Sequence, residues 1–287
     1  MTSPDLGSAF TVCPHDTDLA NEIAAVAAFH GWNLKENGVH VPLRYDAHAD
    51  APQEDMKSES KDNLARDYAS KREEYFECPR SEMLEYVPSL CQRVLDVGCG
   101  TGSFGASIRK RTGCEVWGVE SNAGSIQKAE QNIDKVLHGY FGPELNLPPG
   151  YFDCIVFNDV LEHMLDPASA LVLARALLGS GGCIVASIPN IRQFPTVWKL
   201  VIGGEWEYQE FGILDKTHLR FFTRLSIMRL FRGAGFAIQR IDGINPFISH
   251  ESGDKALWRR YSLFCWLPIT GIKDMRYQQF AIVAKLD

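Results

Sequence analysis

From Gln92 onward, short apolar runs alternate with stretches in which apolar residues return every three or four positions, the pattern of strands interleaved with amphipathic helices. The runs predict strands at 93–97, 115–119, 135–138, 152–157, 183–187, 236–242 and 279–285. The longer period predicts helices at 103–111, 122–134, 167–178 and 224–233. Asp166-Pro167 supplies an N-cap and a first-turn proline for the 167–178 helix, and Gly179 closes it. Repeated strand–helix–strand units imply a parallel sheet with helices on both faces. The last two strands are joined without a clear helical pattern, so the final strand is expected to run antiparallel.

The rhythm is absent from the first part of the chain and broken twice later. Residues 1–62 read as an extension: an amphipathic helix at Asp18–His30 ended by Gly31, a strand at Val39–Tyr45, and a polar linker at Asp46–Asp62. Helical stretches at Asn63–Glu77 and Ser81–Tyr86 then open the main domain, 63–287. Within it, segments 189–222 and 245–277 carry no clear element but many aromatic residues, among them Phe194, Trp198, Trp206, Tyr208, Phe221, Phe247, Trp258, Tyr261 and Trp266. Loops of that length are uncommon unless they act as lids or binding loops. Both are expected to cover the carboxyl edge of the sheet, where open α/β sheets bind ligands.

The first strand names its chemistry most clearly. Val94, Leu95 and Val97 stop at Gly98, Gly100 and Gly102, and a helix follows from Ser103. Glycines there permit positive φ and close approach of a ligand to the backbone. A strand-to-helix turn is also expected to present N–H groups and the positive helix end to a polar ligand. Gly100 to Gly105 fits GxGxxG, and Glu120 ends the second strand, where one carboxylate can accept from both hydroxyls of a ribose. These features suit a nicotinamide dinucleotide and a methyl-donor nucleoside alike. Asp96 separates the two: it can meet an ammonium but would repel a pyrophosphate. More than ninety residues precede this strand, and the fourth strand runs directly into Asn158-Asp159-Val160-Leu161-Glu162-His163.

Leu95 through Gly102, the Glu120 position, and Phe152-Asp153 through Glu162-His163 resemble the motifs of class I S-adenosylmethionine-dependent methyltransferases, over roughly residues 72–287. Within that superfamily the chain is most similar to the branch holding quinone-biosynthesis O-methyltransferases and bacterial sugar or natural-product methyltransferases. The resemblance implies a Rossmann-like seven-stranded sheet with an N-terminal helical cap and S-adenosyl-L-methionine as cofactor. It places Asp96, Gly98, Cys99, Gly100 and Gly102 on the methionine end of the donor and Glu120 on the ribose. Ser121 and Asn122 would flank the adenosine, Asn158 and Asp159 would lie near the sulfonium, and Tyr140 and Phe141 would meet the adenine. The family commonly has an acidic residue after the third strand, where this chain has His138-Gly139-Tyr140-Phe141.

Composition narrows the acceptor. A net charge of -7 disfavours nucleic acid as partner; the resemblance, with the aromatic insertions, implies a small-molecule acceptor, with a sugar or sugar-containing metabolite in front. O-methylation gains from a base, and histidine suits one working near neutral pH. His218 sits in the first long insertion among Lys216, Arg220 and two phenylalanines, and His163 follows the fourth strand, so these are the candidate catalytic residues. N-methylation of an amino sugar needs no strong base and stands as the alternative, with an NAD-dependent oxidoreductase second. Asp159, Glu162 and Asp166 cluster, but Asp166 is accounted for as an N-cap, so no metal is expected. Eight cysteines without a CxxC pair fit reduced thiols. The chain offers neither an export signal nor an eighteen-residue apolar run, so a cytoplasmic protein is expected. The aromatic insertions suit a lid core and a homodimer interface equally well.

Overall fold

A computed structural model describes residues 79–247, 255–264 and 271–286. These belong to one compact unit, Glu59–Asp287. The elements predicted at Asp18–His30, Val39–Tyr45, Asp46–Asp62 and Asn63–Glu77 lie outside the described residues.

Seven strands form one sheet in the order β3-β2-β1-β4-β5-β7-β6. They are β1 (Arg93–Val97), β2 (Glu115–Glu120), β3 (Lys135–His138), β4 (Phe152–Asn158), β5 (Leu178–Pro189), β6 (Phe236–Pro246) and β7 (Tyr277–Leu286). The helices are α1 (Ser103–Thr112), α2 (Ala123–Asn132), α3 (Pro167–Leu177), α4 (Phe194–Trp198), α5 (Arg224–Gly233) and α6 (Lys255–Phe264). The strands β1 to β5 pair in parallel, whereas β7 runs antiparallel to both β5 and β6 as expected, although the connection between β6 and β7 carries the helix α6 where the sequence showed no clear helical pattern.

The central strands are nearly continuous apolar runs because helices cover both faces. Leu95, Val97, Phe157 and Ile184 belong to one buried layer, with Phe231, Phe236 and Phe280; Val94, Val116, Val156 and Val185 belong to the other, with Met83, Phe104 and Ile108. Each such side chain, taken fully from water, contributes about 1.5–3 kcal/mol. Cys91, Cys99, Cys114, Cys154 and Cys183 are buried free thiols, consistent with small apolar packing residues.

The junction between α3 and β5 departs furthest from expectation. Asp166 caps α3 through its side chain, accepting from the N–H groups of Ala168 and Ser169. The helix nevertheless ends at Leu177, and β5 begins at Leu178, five residues before the predicted 183, with a register shift against β4 between Phe152 and Cys154. Gly179, Gly181 and Gly182 masked the strand start, since glycines weaken a strand pattern.

The chain order turns back at β1, which lies between β2 and β4. Strand order reverses there, and the carboxyl ends of these strands open the crevice in which such sheets bind ligands.

Candidate active site

The glycine turn after β1 is shaped by what surrounds it. Gly98, Gly100 and Gly102 have φ of 71°, 54° and 77°. A Cβ on Gly98 would stand 2.6 Å from Cγ2 of Val160, so only glycine fits beneath that side chain. The turn does not, however, offer the row of N–H groups that its sequence suggested. Gly98 and Cys99 donate theirs to the Val119 carbonyl at 2.8 and 3.1 Å, Gly102 donates to the Cys99 carbonyl, and Gly100 donates to Oε2 of Glu120 at 2.8 Å. Those amides tie β1 to β2 and make the turn rigid. Cys99 enters through its backbone, since its thiol packs against Gly118 and Ile133, where burial pushes it well up.

Glu120 is 1% exposed at the end of β2. Besides Gly100, it accepts from the Asn122 N–H through Oε1 at 2.7 Å. Burial raises its pKa, opposed by these backbone hydrogen bonds. A carboxylate fixed in this way keeps lone pairs for a vicinal diol.

Asp96 has no comparable support. Burial, and then the charge of Glu120, raise its pKa to about 7, and its Oδ2 has no hydrogen-bond partner. An unpartnered buried carboxylate is costly, and an ammonium placed beside it would remove the cost. Asn158 repeats the signal at the end of β4, where both its side-chain amide atoms are buried without partners. The residues present therefore fit the amino-acid end of S-adenosylmethionine.

Two cavities receive these groups and share Gly98, Asp159 and Val160. The larger, about 640 Å³, is lined by Glu120, Ser121, Tyr140, Phe141 and His163, among others. Tyr140 is exposed, while Phe141 packs edge-on against Phe157 with centroids 5.6 Å apart. The smaller, about 310 Å³, is lined by Asp96, Cys99, Gly100, Asn158, Glu162 and His218, among others.

Two of the expected contacts fall outside both linings. Gly102 packs on α2, where a Cβ would meet Ala129 and Asn132 at 3.2 Å, and the Asn122 side chain caps that helix by accepting from Gly124 N–H at 2.8 Å. Their roles are structural, as glycine packing and helix capping require.

Asp159 lines both cavities with φ of 54°, but its carboxylate is engaged. It pairs with Arg80, accepts from Ser187 Oγ at 3.0 Å and accepts from Gln279 Nε2 at 2.8 Å. Arg80 went unnoticed in the sequence because it lies thirteen residues before β1, outside any glycine or strand signal. Arg80 lines the smaller cavity together with Asp96.

The first insertion roofs the smaller cavity through Gly212, Ile213, Asp215 and His218. Its end is stitched to the short turn Leu161–His163, with the Glu162 carbonyl accepting from Leu219 N–H and Arg220 N–H at 2.9 and 3.0 Å. His163 Nδ1 stands 3.0 Å from the Thr217 carbonyl, and His218 Nδ1 stands 3.0 Å from the Ile213 carbonyl. The two rings meet edge to face, 4.7 Å apart. Glu162 is 1% exposed, neither carboxylate oxygen has a hydrogen-bond partner, and burial raises its pKa to about 8.

The described residues of the second insertion line neither of these cavities. Phe247, Tyr261 and Phe264 pack instead around Phe194 of the first insertion, with centroids 5.3 to 6.0 Å away.

Comparison with known proteins agrees with this geometry. A family model for a methyltransferase domain matches residues 55–241. Ubiquinone biosynthesis O-methyltransferases from Aeromonas salmonicida and Psychrobacter arcticus are 26% and 30% identical. Each match spans 54% of this chain and, respectively, 66% and 62% of the relative, less than two thirds of its length. Among solved structures, the fold is similar to S-adenosylmethionine-dependent methyltransferases from Archaeoglobus fulgidus (22% identity, TM-score 0.50, 71% of this chain and 91% of that one) and Mesorhizobium loti (18%, 0.51, 72% and 97%). The nicotinamide alternative is thereby set aside. The chain belongs to the methyltransferase-domain family, within the class I S-adenosylmethionine-dependent superfamily, and S-adenosylmethionine is its methyl donor.

Proposed function

We propose that the protein O-methylates a hydroxyl of a small molecule, with a sugar or sugar-containing natural product as the leading acceptor, and that His218 takes the hydroxyl proton. The observation that carries this reading is the setting of His218. It is 8% exposed and lines the same cavity as Asp96, while its Nδ1 faces a main-chain carbonyl. That carbonyl requires a proton on Nδ1, which assigns the lone pair to Nε2.

The bound donor supplies an electrophilic methyl on sulfonium. Asp96, Asn158 and Arg80 would hold its amino-acid end and Glu120 its ribose, which fixes where the methyl points. Transfer then depends on aligning the acceptor oxygen with it and on excluding water. The roof formed by Gly212–His218 would do the latter. His163 would orient the roof through the Thr217 carbonyl.

A ring-shaped acceptor is supported by Trp206, Tyr208 and Phe221, whose rings lie 5.3 to 6.5 Å from one another, with Phe221 6.4 Å from His218. Flat aromatic faces suit sugar faces. The named function of the ubiquinone relatives supports oxygen as the accepting atom. N-methylation is the second reading, favoured by the four acids Asp96, Asp159, Glu162 and Asp215 around the smaller cavity.

Incubation with methyl-labelled donor and matched panels of sugars, phenols and amino sugars tests the reading. Label in acid-stable methyl ethers is expected. Label only in methylamines transfers the assignment to nitrogen. Among the described residues no helix is long and apolar enough to cross a membrane.

A further inference from the structure

Glu162, His163 and His218 form a cluster that the sequence reading, with its metal-free expectation, did not assemble. One carboxylate oxygen of Glu162 and one ring nitrogen from each histidine lie within 4.8 Å of one another. His218 Nε2 is 3.9 Å from Glu162 Oε1. We propose that these three side chains bind a divalent transition-metal cation of the zinc type between the two cavities, with Glu162 and His218 lining the smaller and His163 the larger.

Three observations converge on this. First, the donor set is right: two imidazoles and one carboxylate suit Zn²⁺, Co²⁺ or Fe²⁺ rather than Mg²⁺ or Ca²⁺, which prefer oxygen. Second, the outer contacts are right. Metal-binding histidines usually donate their other ring N–H to a carbonyl or carboxylate; here each Nδ1 faces a main-chain carbonyl at 3.0 Å, which directs Nε2 to the cation. Third, Glu162 is 1% exposed with both oxygens lacking hydrogen-bond partners, a burial that a cation would offset.

The frame holding the cluster is stiff. Glu162 and His163 sit on one turn, His218 sits at the end of the first insertion, and the Glu162 carbonyl joins the two through Leu219 N–H and Arg220 N–H. Ligands at about 2.1 Å from a tetrahedral ion stand roughly 3.4 Å apart. The side chains must therefore draw together by up to about 1.4 Å. Glu162 and His218 line the smaller cavity and His163 the larger, so the remaining coordination positions would face the acceptor.

The binding claim does not rest on O-methylation, but it bears on that reaction. A cation and the acceptor proton compete for the same lone pair of His218. When the site is loaded, His218 is a ligand and the cation acidifies a coordinated hydroxyl. When the site is empty, His218 is the base.

The test uses the full chain, without a histidine tag and stripped by chelator, titrated with Co²⁺ and followed by its visible d–d absorption. One equivalent is expected to bind, and His163→Asn, His218→Asn and Glu162→Gln should each weaken it at least tenfold. His138→Asn, at an exposed histidine on β3, should leave the titration unchanged. Retained binding of S-adenosylhomocysteine would certify that each variant is folded. Should the variants fail to fold, zinc-edge X-ray absorption on the wild-type protein decides, with two imidazoles in the coordination shell expected. Absence of the Co²⁺ bands, titrations unaltered by the three substitutions, or a shell without imidazole would overturn the site. A protein that binds Co²⁺ as described yet methylates no hydroxyl would refute the O-methylation reading and leave the metal site standing.

Discussion

The cavity beside Glu120 and the cavity beneath His218 meet at Gly98, Asp159 and Val160, but their polar groups are secured in different ways. At Glu120, main-chain hydrogen bonds from Gly100 and Asn122 lock the carboxylate within one strand–turn–helix unit. At His218, the polar groups come from separate segments: Glu162 after β4, His218 on the insertion and Arg80 before the sheet. Several are buried short of partners, including Asp96 Oδ2 and both oxygens of Glu162. A finished local unit presents a carboxylate whose position is set before any ligand arrives. An underbonded assembly of distant segments is completed only by what enters it, whether the donor's amino-acid end at Asp96 or a group at Glu162.

Four measurements can break or sharpen this contrast, and the largest effect is expected on the acceptor side. His218→Asn should lower kcat ~100-fold or more while donor affinity, read by calorimetry, stays within twofold. A near-normal rate would make His218 a structural anchor of the roof. On the donor side, Glu120→Ala should weaken S-adenosylhomocysteine binding at least tenfold, about 1.4 kcal/mol. Unchanged affinity would remove the ribose assignment.

The third measurement is pH dependence. Asp96 in the empty site has a pKa of about 7. Below that, the ammonium of the donor must displace a proton, so affinity should fall by up to about tenfold per pH unit as pH drops from 7 to 6. A flat profile would separate Asp96 from the ammonium.

The smallest effect is on stability and runs the opposite way. The folded pKa of Asp96 lies above its unfolded value of 3.8, so the folded chain binds more protons between these values and loses stability as pH rises through that window. An amide cannot ionise. Asp96→Asn should therefore raise Tm at pH 8 by roughly 2–4 °C, the equivalent of about 1 kcal/mol at this size, while weakening donor binding. A lowered Tm would mean that the carboxylate has a stabilising partner.

The same contrast explains what the sequence made legible. Each of the seven strands was visible as an apolar run, and Asp96, Gly98 and Glu120 lie within one strand–turn–helix–strand unit whose spacing fixes their geometry. The direction of β7 was expected, but on a ground that fails, since α6 lies between β6 and β7. What depends on packing across the chain was hidden. The amides of the glycine turn are engaged by Val119 and Glu120, an arrangement evident only once β1 and β2 are paired. Asn122 was read as a ligand contact because a polar residue after an acidic strand end fits either a nucleoside or an N-cap. Arg80 and the Glu162–His163–His218 cluster bring together positions far apart in the chain, and no periodicity marks them. The aromatic insertions were legible as a pair but not as unequal partners, since only packing around Phe194 distinguishes a roof from its buttress.

The pairing of Arg80 with Asp159 reaches beyond charge balance. The short helical turn Ser81–Tyr86 that follows Arg80 is anchored by Tyr86, whose hydroxyl donates to Asp242 on β6 at 3.1 Å. A strap thus runs from the far edge of the sheet to the mouth of the crevice and clasps a residue that borders both compartments. Were Arg80 to meet the donor carboxylate, seating of the strap and capture of the donor would favour each other by an equal free energy. A chain trimmed to begin at Val87 would lose Arg80 together with Met83 and Tyr86, two side chains of the buried layer.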